Sequence, residues 1–150
     1  MAGKRAGYSL AEVIVVVLIL GALAFIAIPR LNYGVISQRQ AHTVAKTLTA
    51  GLRHTRTLAI TRAIAHPGQT FTLSITGLTY RINDDFNGVA VDSQTFGGNV
   101  TITCGICAFQ FGPLGELRSG SSSEITVEAE DKSYTITVKS GTGIVECTGG

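Results

Sequence analysis

Gly7-Tyr8-Ser9-Leu10-Ala11-Glu12, with the apolar run Val13 to Ile28 behind it, decides how the rest of the chain is read. Lys4 and Arg5 precede it, and the sixteen residues from Val13 to Ile28 carry no charge. From Leu10 to Ile28 the segment is nineteen residues long, close to the roughly 20 that a helix needs to cross a bilayer core. Basic flanks such as Lys4 and Arg5 hold the N-terminal end of a span on the cytoplasmic side. A cleaved secretory signal would end in a small-x-small site and a clean mature start. Here the run passes through Pro29 directly into an amphipathic helical pattern. A plain single-span anchor explains the run but not Glu12, because a carboxylate one turn inside a membrane helix costs about 2.5 kcal/mol or more and needs a cationic partner.

In these residues the N-terminus resembles that of a type IV prepilin or a type II secretion pseudopilin. The resemblance implies a leader, residues 1–7, cut by prepilin peptidase between Gly7 and Tyr8, with N-methylation of Tyr8 by the same enzyme. Glu12 then becomes the fifth mature residue and Pro29 the twenty-second, where the family has its glutamate and its helix-kinking proline. It further implies that Glu12 meets the N-terminal amine of a neighbouring subunit. The physics agrees, since a buried carboxylate is tolerated when paired, and the pairing would fix the axial register of subunits. Tyr8 replaces the commoner phenylalanine and Ala11 a larger aliphatic residue, and neither change disturbs the cleavage logic.

The chain has 150 residues, enough for one domain beside a membrane helix. Charged residues are 15% and hydrophobic residues 45%, and eighteen glycines with many threonines suggest a turn-rich β domain. The net charge is only +2, but its distribution is lopsided. Between Val13 and Asn83 there are seven bases and no acid, whereas from Asp84 onward nine acids face three bases. A basic stem carrying an acidic head favours attraction between copies or relatives, or a basic face for an anionic partner.

Pro29 should kink the helix rather than end it, because helical spacing resumes at once. Ala41, Val44, Ala45, Leu48, Leu52 and Ala59 recur at three- and four-residue steps and predict an apolar stripe packed on a sheet. Arg39, His42, Lys46, Arg53 and Arg56 form a second, basic stripe. It reads either as a solvated flank that contacts acidic heads in a filament or as a nucleic-acid surface, and the second reading is weakened because no aromatic side chain interleaves for base stacking. Pro67-Gly68 places the end of the helix near His66.

Beyond it, alternation predicts a hairpin over Thr70–Thr76 and Leu78–Ile82. Further strands are expected at Val100–Thr103, Ala108–Phe111, Glu124–Ala129, Tyr134–Lys139 and Ile144–Cys147. The expected fold is α+β and pilin-like: a long N-terminal helix, transmembrane over 8–30 and amphipathic over 31–66, packed on a mainly antiparallel β-sheet head over 69–150. Ala45 to Ala65 and the region from Phe109 to Glu146, with Phe111-Gly-Pro-Leu-Gly115, are similar to minor pseudopilins of the type II secretion protein H and FimT family.

Cys104-Gly-Ile-Cys107 lacks the helix that follows a thioredoxin-like pair, and zinc would need two further ligands at a spacing that Cys147 and the three histidines do not supply. A structural disulfide among Cys104, Cys107 and Cys147 is the favoured reading, with the pairing left open. Asn83-Asp84-Asp85-Phe86-Asn87-Gly88, with Asp92, is oxygen-rich but lacks the ligand spacing of a helix-flanked calcium loop, so it reads as a turn. No nucleophile motif, phosphate loop or metalloprotease helix is present, and Ser121-Ser122-Ser123 has no histidine near it in sequence. The chain reads as a substrate of processing enzymes and not as an enzyme, with no catalytic residue, metal or cofactor expected.

These readings converge on an inner-membrane, single-pass precursor with a cytoplasmic N-terminus and a periplasmic head. Its expected role is that of a minor pseudopilin in a type II secretion pseudopilus, with prepilin peptidase and other pseudopilins or pilins as partners in a hetero-oligomeric filament. The alternative is a minor pilin of a type IV system for DNA uptake or surface adhesion, with DNA meeting Arg39, Lys46, Arg53 and Arg56.

Overall fold

The first helix, α1 (Leu10–Ala27), starts where Ser9 leaves its carbonyl free to accept the N–H groups of Glu12, at 2.9 Å, and Val13, at 3.2 Å. Glu12 sits in the first turn, where a carboxylate complements the positive end of the helix dipole. The structure, a computed structural model, describes residues 9–27, 33–118, 123–130 and 132–150, and its backbone divides into two compact units, Met1–Tyr33 and Gly34–Gly150. At 18 residues α1 spans about 27 Å, short of the roughly 30 Å of a bilayer core. Among the described residues no helix is long and apolar enough to cross a membrane. The expected span over 8–30 extends past the described residues at both ends, and Gly7, Tyr8 and Pro29 lie outside them.

The second helix, α2 (Tyr33–Arg62), follows the predicted periodicity: Ala41, Val44, Ala45, Leu48, Leu52 and Ala59 are all buried. Threonines inside a helix compete for its hydrogen bonds, and here each bonds back one turn. Buried Thr49 and Thr55 donate to the carbonyls of Ala45 and Gly51, both at 2.8 Å, so neither hydroxyl is left unpaired in the core. Gly51 lets α2 approach the sheet, since a Cβ there would lie 3.3 Å from the Tyr80 ring and 3.4 Å from Leu73. The helix closes at Arg62, earlier than the expected His66. Ala65 and His66 then donate to the Arg62 carbonyl, tightening the last turn ahead of Pro67 and Gly68.

Eight strands follow: β1 (Phe71–Thr76), β2 (Thr79–Asp84), β3 (Val89–Thr95), β4 (Thr101–Cys104), β5 (Ala108–Phe111), β6 (Ser123–Ala129), β7 (Lys132–Val138) and β8 (Val145–Gly149). The head holds two antiparallel sheets, in the orders β3-β2-β1-β5 and β4-β6-β7-β8. The β1–β2 hairpin pairs Thr76 with Thr79, so its loop is Gly77-Leu78, and Gly77 takes the left-handed φ of 58° that such a turn requires. Phe71, Leu73 and Ile75 point inward with Tyr80, Ile82, Phe109 and Phe111. From the other sheet come Ile125, Val127, Ile136, Val138 and Val145, and all join the α2 stripe in one core. The fold is therefore α+β, a helix packed on antiparallel sheets, as the sequence predicts.

One strand was not expected. The segment read as a turn, residues 83–92, holds the end of β2, a short turn and the start of β3. All seven residues of β3 are exposed, so it has no buried face to give it an alternating pattern. It exists because its backbone pairs with β2, with a bulge between Ile82 and Asn83.

Candidate functional site

Two surfaces carry the residues singled out by the sequence. The first is α1. Glu12 is exposed beside Val13, Val16 and Val17, and exposed apolar side chains continue along the helix through Leu20 and Leu23 to Phe25, which is 83% exposed. A helix that is apolar all round finds its stability in covering, either by protein or by lipid. A carboxylate within that surface is the one group in it able to choose a charged partner.

The second is the basic stripe of α2, which the structure divides. Arg53 donates from Nη2 to the carbonyl of Val145 at 3.0 Å. Arg56 donates from Nε to the carbonyls of Gly115, at 3.1 Å, and Thr142, at 3.3 Å. These two guanidinium groups fasten the helix to the start of β8 and to two head loops. Arg39 and Lys46 are exposed, and the ion pairs among the described residues are Arg118–Glu116 and Lys139–Glu146, neither on α2. The expected four-residue stripe is thus a pair of anchors and a pair of outward cations.

Cys104 and Cys107 are disulfide-bonded, with Cα atoms 5.4 Å apart, and Cys147 is free and exposed. The bridge closes the loop between β4 and β5, which belong to different sheets, and the Cys107 carbonyl accepts the Ile75 N–H at 2.7 Å. It fixes the point where the chain crosses from one sheet to the other.

The oxygen-rich segment is saturated by the protein itself. Asp84 Oδ1 accepts from the Gln69 side chain at 2.7 Å and from the N–H groups of Phe86 and Asn87, while Oδ2 accepts from the Asn87 side chain at 2.7 Å. Asp85 Oδ2 accepts from Thr70, Thr72 and Gln110. Burial pushes the Asp84 carboxyl up, but these donors outweigh it and hold the group below its usual range. Gln69 turns its amide nitrogen to Asp84 and leaves Oε1 buried without a partner among the described residues. Satisfying the carboxylate is worth more than satisfying the amide oxygen. Among the described residues no group of three or more His, Cys, Asp or Glu side chains could hold a metal ion.

Two of the three histidines pack against rings: His42 lies against Tyr134 and His66 against Phe86, each at 5.5 Å between ring centres, while His54 is exposed. Ser121 and Ser122 lie outside the described residues, and Ser123 opens β6.

No family model matches this chain, and no curated protein matches it. Among solved structures it is similar to the type IV minor pilin FimU of Pseudomonas aeruginosa strain PAO1. In one crystal form the TM-score is 0.61 at 13% identity, covering 73% of this chain and 89% of that one. In a second it is 0.58 at 14% identity, covering 71% and 91%. The likeness is one of fold, and the head described above has the pilin-like architecture.

Proposed function

We propose that this chain is a minor subunit of a type II secretion pseudopilus, a structural component and not an enzyme. Prepilin peptidase cuts it between Gly7 and Tyr8 and methylates Tyr8. Until assembly it is stored in the inner membrane with its head in the periplasm. It then enters a hetero-oligomeric filament through its N-terminal helix, where Glu12 pairs with the N-terminal amine of a neighbour. The observation that carries this reading is the conjunction of Glu12 in the first turn of an uncovered apolar helix with a pilin-like head in the same chain. The resemblance of 45–65 and 109–146 to the secretion protein H and FimT family supports the choice of system.

The test is the intact mass and N-terminal sequence of the protein recovered from membranes of cells with and without prepilin peptidase. A start at methylated Tyr8 only when the peptidase is present is expected. A start at Met1 in both, or beyond Ile28, would sink the reading.

The likeness to a type IV minor pilin favours a second reading, a minor pilin for DNA uptake or adhesion. Arg53 and Arg56 keep their charge but are tethered to head carbonyls, so DNA contact would fall first to the outward Arg39 and Lys46. Salt-sensitive retardation of DNA by the full chain in detergent, lost in an Arg39→Gln, Lys46→Gln variant, is its signature. No retardation at low salt excludes it.

A further inference from the structure

A groove of about 640 Å³ runs between α2 and the free edge of the second sheet, and its walls include His42, Lys46, Arg53, Tyr134, Cys147 and Gly149. All of it lies within the unit Gly34–Gly150. Among the described residues β8 is the last strand of its sheet and pairs only with β7. The Lys139 N–H bonds the Ile144 carbonyl at 2.9 Å and the Lys139 carbonyl accepts the Gly143 N–H at 2.8 Å, so Lys139 turns both main-chain groups toward the incoming β8 chain. That orientation alternates along the ladder, so Glu146 and Thr148 direct their main-chain groups at β7, while Val145, Cys147 and Gly149 direct theirs away from it.

Arg53 supports this geometry, because its guanidinium reaches the Val145 carbonyl from the outer side. Beyond that one bond, the N–H and C=O groups of Cys147 and Gly149 form an open strand edge facing the groove. An exposed row of this kind is a template for a further strand. At the far edge of the other sheet the equivalent row is already used, since the Arg118 N–H bonds the Gln110 carbonyl of β5 at 2.8 Å.

The Cys147 side chain stands opposite Ile136, which is fully buried, so this part of β8 shows its inner face where α2 leaves it uncovered. The opposite wall is cationic. Neither Lys46 nor Arg53 has a carboxylate within ion-pair distance among the described residues.

We infer that this groove receives an extended, carboxylate-bearing peptide segment of another protein, which adds to β8 as a fifth strand and turns its acidic side chains toward Lys46 and Arg53. Strand addition gains affinity from main-chain bonds and specificity from alternate side chains. Beyond the Val145 carbonyl that Arg53 occupies, the stretch from Cys147 to Gly149 accommodates about 10 Å of such a strand. The cations select acidic segments over basic ones. A nucleic acid satisfies the cations but offers no alternating N–H and C=O groups to the edge. The proposal does not depend on entry into a filament, because every element it uses is in the head and its supporting helix.

The probe is the peptide acetyl-TEVEVT-amide, added to the full chain in detergent, with amide hydrogen exchange read residue by residue. The amides of Cys147 and Gly149 should become protected, the lysine counterpart acetyl-TKVKVT-amide should not protect them, and Lys46→Glu should weaken binding about tenfold. Two further peptides, N-methylated on one or the other set of alternate residues, test the pairing without touching the protein, and one should lose binding while the other keeps it. Equal binding of both N-methylated forms, or of the acidic and basic peptides, overturns the inference. It is also overturned if the same amides are protected by DNA, or by self-association of the chain without peptide.

Discussion

The two helices of this chain use apolar residues in opposite ways. In α2 they occupy one stripe and disappear into the core, with Leu48 and Leu52 fully buried. In α1 they cover the helix all round and stay outward, with Leu18 67% and Leu20 59% exposed. Burial of a leucine side chain is worth roughly 1.5–3 kcal/mol, so α2 contributes that to the fold of its own chain. The same residues in α1 contribute only when something outside the described structure covers them. Buried and exposed apolar residues thereby fall in different segments, and a substitution can be aimed at one set without the other.

The largest separation is expected at Glu12. On the proposed function, Glu12→Ala should leave the proposed cleavage at Gly7–Tyr8 and the melting of the head unchanged, yet nearly abolish recovery of the chain in sheared filaments. Normal incorporation would remove the pairing argument. Next in size is a matched pair of leucines. Leu52→Ala should destabilise the head by about 2–5 kcal/mol through loss of contacts and the cavity left behind, whereas Leu20→Ala should change its urea midpoint by less than about 0.5 kcal/mol equivalent. Equal effects would mean that the two helices do not divide the work in this way.

What the sequence makes legible follows the same physical line. The α2 stripe is visible because burial of one helical face imposes a period of 3.6, and Phe71, Leu73 and Ile75 are visible because burial of one strand face imposes a period of 2. β3 is invisible because every residue from Val89 to Thr95 is exposed, and backbone pairing to β2 leaves no trace in side-chain pattern. The roles of Arg53 and Arg56 are equally hidden. Their carbonyl partners lie 92, 59 and 86 residues away, and a carbonyl can belong to any residue type. The division into two sheets depends on strand order, which periodicity does not encode. The choice of Cys104 and Cys107 over Cys147 depends on the loop that joins those sheets. Glu12 belongs to neither class: its spacing from Gly7 is plain in the sequence, and the partner proposed for it is the N-terminal amine of a neighbouring subunit.

The smallest of the three effects concerns Asp84, buried at the hinge between β2 and the following turn, where comparison with the α1 carboxylate is instructive. Glu12 is exposed with its chemistry unspent, whereas both oxygens of Asp84 are engaged by Gln69, Phe86 and Asn87. Burial raises the Asp84 pKa and those donors lower it further than burial raises it, so its folded value lies below the ordinary one of about 3.9. A depressed folded pKa contributes stability above the unfolded pKa and loses it as pH falls through the folded value. Head stability measured by urea unfolding should accordingly be level near neutrality and decline below about pH 4. Asp84→Asn should cost about 1–2 kcal/mol at pH 7, because it puts an amide donor where Asn87 already donates. It should also make the acid decline shallower without removing it, since Glu116, held low by its own N–H, Arg118 and the Leu114 N–H against the upward push of burial, titrates in the same window with the same sign. An unchanged acid slope in Asp84→Asn would mean that the Asp84 cluster does not hold its carboxylate in the folded state.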